Sequence, residues 1–234
     1  MPFPSNAQYV PLRQSSNIVT DPVRDASPDE TDIVGDAQFP ASYYAYDGTN
    51  VYFRIRLNTD PRDKSSFKNF AWGVLIDTDN NTSTYEWELV VNGLANEVQL
   101  IANTVKIPNV FTDQAEGTDG KGTPNYAETI CNFDIARAQT TEDGSMLGNP
   151  TNYFIDFFIP ASRLFSLLGI TSTSTLRFLF FTATNNNIFN KDFIGTGQTL
   201  STLFCDPVTI AGGDVRASLA VTQTITAPSS VIIA

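Results

Sequence analysis

The sequence predicts an all-β protein: an antiparallel β-sandwich of the jelly-roll or immunoglobulin-like kind, with one short helix and extended N- and C-terminal arms. Three observations carry this prediction. Short runs rich in Val, Ile, Tyr, Phe and Thr recur between turn clusters, at the spacing of a two-sheet sandwich. The clearest run, Val51 to Asn58, alternates Phe53, Ile55 and Leu57 with Arg54, Arg56 and Asn58, the period of a half-buried strand. One segment, Pro160 to Gly169, is written as a helix, with proline in its first turn and glycine at its stop. No fixed-period repeat is visible, which argues against a solenoid or propeller.

Residues 1–40 contain Pro2, Pro4, Pro11, Pro22, Pro28 and Pro40 and the acidic run from Ser27 to Asp32. Proline lacks an N–H and fixes φ, so this stretch is expected as an extended N-terminal arm. The sandwich is assigned to residues 41–212. Ser42 to Tyr46 and Val51 to Asn58 flank Asp47-Gly48-Thr49-Asn50 and make a hairpin. Phe70 to Ile76 reads as a buried strand entering the turn-rich Asp77-Thr78-Asp79-Asn80-Asn81, and Thr84 to Val91 and Glu97 to Ile101 are strands joined at Asn92-Gly93. Gly117, Gly120, Gly122 and Pro124 make Asp113 to Asn125 a long loop, a place where function often sits. Further strands are expected at Glu128 to Phe133, Tyr153 to Ile159, Leu176 to Thr184 and Thr199 to Ile210. The helix offers Leu164, Leu167 and Leu168 as an apolar face. Residues 213–234 are expected as a C-terminal β-strand extension, alternating from Val215 to Thr226 and closing on Val231-Ile232-Ile233-Ala234.

With 41% apolar residues, 17 Phe and 8 Tyr, the 234-residue chain can bury a substantial core. Fourteen Lys and Arg against 25 acids leave a net charge of −11, which repels phosphate backbones, so no nucleic-acid partner is expected. No window is long and apolar enough for a transmembrane span, and membrane insertion is not expected either. The chain has no His. That removes the commonest general base and metal ligand, and with it catalytic triads, histidine zinc sites and His-ligated haem, so the protein is read as a non-enzyme. For Cys131 and Cys205 three readings stay open: one intramolecular disulfide, two ordinary thiols, or pairing between subunits. Met1 to Val10 has neither the basic region nor the apolar stretch of a secretory signal. The Thr/Asn-rich, Lys-poor composition is nonetheless that of an exported protein, and an extracellular, cell-surface or spore-surface location is expected.

The order of features from Ala45-Tyr46-Asp47-Gly48-Thr49-Asn50-Val51-Tyr52-Phe53, through Trp72-Gly73-Val74-Leu75-Ile76-Asp77-Thr78-Asp79, to Asp156-Phe157-Phe158-Ile159-Pro160-Ala161-Ser162 and Arg177-Phe178 resembles the carbohydrate-binding-module-9-like and DOMON-like β-sandwiches of extracellular proteins. Val221 to Thr226 is similar to the opening strand of repeated domains in large Gram-positive surface proteins, and the overall style resembles Bacillus-type and clostridial spore-surface and appendage proteins. The resemblance implies a fold and a location, not a reaction. Sugar-binding members hold their ligand with exposed aromatics, whereas Trp72 and Trp87 lie in apolar strand contexts. DOMON-type haem would need Met or His ligands, and with Met1 and Met146 alone no haem is expected.

Asp77, Asp79 and Asn81 stand at i, i+2 and i+4, like the start of a calcium loop in which alternating oxygen side chains converge on a hard cation. The same spacing also makes a plain Asx turn. An EF-hand is ruled out, because neither the sixth-position Gly nor the twelfth-position Glu is present. Asp60, Asp63, Glu86, Asp113, Glu116 and Asp119 are candidate additional ligands. Glu86 and Glu88 flank Trp87 on one side of a strand, as a glycosidase might arrange its acids, but a solvated outer face is the preferred reading. Arg54, Arg56, Arg62, Lys64 and Lys68 gather positive charge, and the arm gathers acids between Asp21 and Asp36. A mixed solvated surface is preferred there; the sharper reading docks the acidic arm on the basic face.

The expected function is a structural subunit of an extracellular fibre, appendage or spore-surface layer, a homo-polymer joined through its terminal arms. Val215, Leu219, Val221, Ile225, Val231, Ile232 and Ile233 would complete a neighbour's open sheet edge. The alternative is a calcium-stabilised carbohydrate-binding module of a surface protein, with a surface glycan or another surface protein as partner. No cofactor is expected unless calcium.

Overall fold

A computed structural model describes residues 3–216. Of the residues expected to mediate assembly, Leu219, Val221, Ile225, Val231, Ile232 and Ile233 lie outside the described residues. In chain order the first strands are β1 (Val10–Pro11), β2 (Arg13–Gln14), β3 (Asn17–Ile18), β4 (Ser42–Tyr46), β5 (Asn50–Leu57), β6 (Arg62–Asp63), β7 (Ser66–Phe67) and β8 (Ala71–Asp77). They are followed by β9 (Trp87–Asn92), β10 (Glu97–Ala102), β11 (Tyr126–Thr129), β12 (Ala136–Thr140) and β13 (Tyr153–Pro160). Helix α1 (Ala161–Leu168) leads to β14 (Thr175–Ala183), β15 (Asp192–Phe193) and β16 (Val208–Thr209).

The strands form an all-β, sandwich-like fold of two antiparallel sheets. One runs β1-β4-β5-β13-β12, the other β11-β10-β9-β8-β14-β15, with β16 against β14. Two small hairpins, β2-β3 and β6-β7, stand apart. Side chains alternate across each strand, so Phe53 points from β5 into the space between the sheets, where its ring centroid lies 5.2 Å from Phe178 and 6.2 Å from Phe180 on β14. Val51, Ile55, Leu57, Val74, Ile76, Leu89, Leu100, Ile155, Phe157 and Ile159 are all fully buried. The helix starts after Pro160 and stops at Gly169, whose φ of 67° is the left-handed cap conformation open to glycine, and Leu164 is buried beneath it.

The outer faces are covered too, which alternation alone did not indicate. All eight residues of β5 are buried, including Arg54 and Arg56. The solvated-surface reading of these arginines is therefore corrected: the arm runs across them. Tyr9, Leu12, Val19 and Ile33 join the core, and β1 pairs with β4. Arg54 lies between the rings of Tyr9 (3.8 Å) and Phe154 (4.1 Å) and makes a two-pronged pair with Asp156 at 2.6 and 2.9 Å. Arg56 donates to the Pro40 carbonyl, Ser145 and Asp143. The arm does dock on this face, but through aromatic rings and neutral polar groups. Among the described residues, an arm acid meets the predicted basic group where Glu30 pairs with Lys68 at 3.1 Å.

Glu88 is corrected in the same way. It pairs with Leu75 and Ile101, on the sheet face opposite Leu89. That face carries a second apolar layer, in which Phe189 packs on Phe181 at 4.6 Å and on Tyr85 at 6.1 Å. Glu88 is fully buried, neither of its oxygens has a partner, and burial pushes its carboxyl well above the usual range.

Two strand expectations change, and one strand is new. Thr199 to Ile210 is a short 3-10 turn, a loop and the two-residue β16, because Pro207 withholds a donor and the Asp206 carboxylate instead accepts the Ser15 and Ser16 amides at 2.8 and 2.7 Å. The strand placed at Glu128 to Phe133 is Tyr126–Thr129, since Cys131 to Asp134 closes as a turn with Asn132 and Phe133 at positive φ. The mixed pattern Ala-Arg-Ala-Gln-Thr of β12 was not anticipated.

Candidate metal centre

Strand β8 ends at Asp77, and the chain turns at once because Asp77 Oδ1 accepts the amides of Asp79 (3.0 Å) and Asn80 (2.7 Å). Asn80 takes a φ of 63°, which Asn tolerates. The returning chain is fixed by the Glu86 amide donating to the Ile76 carbonyl at 3.0 Å, which sets the Glu86 carboxylate beside the turn. Oxygens of Asp77, Asp79 and Glu86 consequently lie within 4.8 Å of one another.

The Asx turn is formed, and it gathers three of the acids named as candidate ligands. Glu86 Oε2 accepts the Thr78 amide at 2.7 Å, and Oε1 accepts from Lys106 Nζ at 2.6 Å, with Asp79 Oδ2 3.8 Å from the same ammonium. Asp77 Oδ2 is buried and without a partner. Burial and the adjacent Glu86 push the Asp77 carboxyl up to about 6. Three carboxylates against one ammonium leave a surplus of negative charge, and an all-oxygen donor set suits a hard divalent ion.

The sequence-predicted ligands divide. Asp77, Asp79 and Glu86 converge. Asn81 does not, because its carboxamide oxygen accepts from Ser83 Oγ at 2.6 Å while its amide donates to Asp79. Asp60 pairs with Arg62 at 2.8 Å, and Asp63 is exposed. Asp113 and Glu116 accept amides of Ile107, Thr104 and Val105, and Asp119 accepts those of Lys121 and Thr123, so these acids hold their own long loop together. That loop borders a hollow of about 340 Å³ lined in part by Asp113, Glu116, Lys121 and Asn187. Lys106 was not anticipated; it stands twenty positions beyond Glu86, and no local pattern joins the two.

The two tryptophans offer little to a sugar: Trp72 is fully buried and donates its Nε1 proton to the Glu30 carbonyl, and Trp87 is half-buried against the core. Both cysteines are free thiols, Cys131 exposed and Cys205 buried, so they are not bridged to each other. Cys205 Sγ accepts the Phe178 amide at 3.1 Å, and burial pushes this thiol up to about 12. Val215 is buried against this chain's own core. No helix among the described residues is long and apolar enough to cross a membrane. Comparison with protein-family models, with curated proteins and with solved structures finds no match to this chain.

Proposed function

We propose that this chain is a non-catalytic structural subunit of an extracellular fibre, appendage or spore-surface layer, whose copies join by strand addition along β11. The observation that supports this reading is the free edge of the larger sheet. Strand β11 pairs with β10 on one side, no strand among the described residues pairs its other side, and Ala127, Glu128 and Thr129 are exposed. Ile130 donates to the Asn96 carbonyl, so by alternation the Glu128 and Tyr126 amides face β10 and the Ala127 and Thr129 amides point outward. Such an edge is a template for another strand. The N-terminal arm already pairs within its own chain through β1, which leaves the alternating segment from Ala217 onward as the donor.

The test is electron microscopy and sedimentation of the full chain, of a chain lacking residues 217–234, and of Ala127→Pro. Proline at 127 removes an outward amide while sparing the ladder to β10. Filaments or oligomers are expected from the full chain, and monomers of unchanged melting temperature from both variants. Equal polymerisation by Ala127→Pro, or a full chain that stays monomeric, would reject strand addition at β11.

A second reading, a calcium-stabilised carbohydrate-binding module of a surface protein, is favoured by the convergence of Asp77, Asp79 and Glu86. It expects glycan binding that chelator abolishes; a blank glycan array removes it.

A further inference from the structure

A second group of acids gathers where the N-terminal arm meets the edge of the larger sheet. Asp21, on the arm, exchanges backbone hydrogen bonds with Gly35 at 2.9 and 3.1 Å. Asp192 opens β15 at the edge of the larger sheet, and its Oδ2 accepts the Ile33 amide at 2.8 Å. These contacts bring oxygens of Asp21, Asp25 and Asp192 within 4.8 Å of one another. Asp21 is only 3% exposed and Asp192 8%, whereas Asp25 faces solvent.

The decisive feature is Asp21. Its Oδ1 accepts the Gly195 amide, but its Oδ2 is buried and has no partner. A buried carboxylate oxygen without a donor, facing two more carboxylates, is costly unless a cation or a proton reaches it. No Lys or Arg among the described residues makes an ion pair with these acids. Lys191, next in sequence to Asp192, turns its ammonium to the Ser27 carbonyl at 2.7 Å, and the Arg24 guanidinium goes to the Gly148 carbonyl at 2.7 Å. Asp32, fully buried, adds a fourth carboxylate nearby and fixes the loop by accepting the Arg24 amide (2.8 Å), the Ala26 amide (3.1 Å) and the Asn58 Nδ2 proton (2.8 Å).

We propose that Asp21, Asp25 and Asp192 bind a calcium ion that ties the N-terminal arm to the β15 edge, with Asp32 as the positioning residue that presents Asp25. The donors are all carboxylate oxygens carried on loops and a strand end, an irregular hard-oxygen set that suits calcium, where magnesium demands near-ideal octahedral geometry. Zinc and copper favour imidazole or thiolate, and neither is in the cluster. Burial pushes both the Asp21 and Asp192 carboxyls upward, with the charge of Asp192 adding to it at Asp21 and those of Asp25 and Asp32 at Asp192. This site is independent of strand addition at β11 and of the Asp77 centre.

Calcium titration by calorimetry in an Asp79→Asn, Glu86→Gln background, which leaves the Asp77 centre one carboxylate of its three, separates this site from it. That background should keep a calcium-binding heat, a calcium-dependent rise in melting temperature and calcium protection against tryptic cleavage after the exposed Arg24. Adding Asp25→Asn should weaken that binding at least about tenfold, because one of three anionic ligands is lost. Asp21→Asn should do the same, and Asp25, being exposed, keeps the test available where Asp21→Asn fails to fold. Absence of any calcium effect in the Asp79→Asn, Glu86→Gln protein, or binding unchanged by Asp25→Asn, would overturn the proposal.

Discussion

Replacing Asp156 by Asn tests what holds the arm-covered face of the smaller sheet. Asp156 is fully buried and is shared by Arg54, with contacts of 2.6 and 2.9 Å, and by Arg137 at 3.0 Å. The Arg137 side chain keeps 28% of its exposure and can turn to water, but Arg54 keeps 1% and cannot. Asn preserves the shape and deletes the charge, so Arg54 is left buried with Asn6 Oδ1 at 2.9 Å and two aromatic faces. A unit pair about 4 Å apart at an effective dielectric near 20 is worth about 4 kcal/mol. Breaking buried pairs by removing one partner costs about 3–5 kcal/mol. Urea unfolding should therefore shift to a midpoint lower by roughly 2 M, for a slope of about 2 kcal/mol/M, with the slope itself unchanged. The paired replacement Arg54→Met with Asp156→Leu should recover most of the loss, since neither member of the pair is left as an unpaired buried charge. A cost below about 1 kcal/mol for Asp156→Asn would refute the reasoning. A double variant no more stable than the single one would assign the loss to packing.

Asp77 sits up to about 6, above its unfolded value of 3.8, so the fold prefers it protonated and loses stability as pH rises from about 4 through 6. In chelator, Asp77→Asn should melt higher than the parent at pH 7 and no higher at pH 3.5. Glu88→Leu should stabilise the fold by about 1–3 kcal/mol, because two unpartnered buried oxygens vanish. Since burial raises Glu88, that gain should be larger at pH 8 than at pH 4, as measured by denaturant unfolding. Deleting residues 1–20 removes β1 and the buried Tyr9, Leu12 and Val19, at about 1.5–3 kcal/mol for each apolar side chain. Circular dichroism should find this truncated chain unfolded.

The sandwich was legible wherever a local signal decided the outcome. The hairpin through Asp47-Gly48, the buried run ending at Asp77 and the helix between Pro160 and Gly169 all follow from turn chemistry and period, which act between neighbours in sequence. The readings that changed were about what covers a strand. Arg54, Arg56 and Glu88 stand at positions where alternation points to solvent, and each is roofed by segments tens of residues away. The candidate sites divide along the same line. Asp77 and Asp79 are neighbours whose spacing is readable, while Lys106 reaches them only after the chain has passed through β9 and β10.

The sequence alone carries the all-β class, the order of most strands, and helix α1 with its stops, because hydrophobic period and the φ limits of proline and glycine are local quantities. It also determined that histidine chemistry is absent. It takes the folded chain to show that the proline-rich arm lies on its own sheet, that Asp156 meets two arginines, and that Asp21 and Asp25 face Asp192 across more than 160 residues of chain. The physical reason is that a charge shows its partner only in three dimensions: burial raises the cost of leaving it alone, and the fold, not the spacing, settles which group comes near.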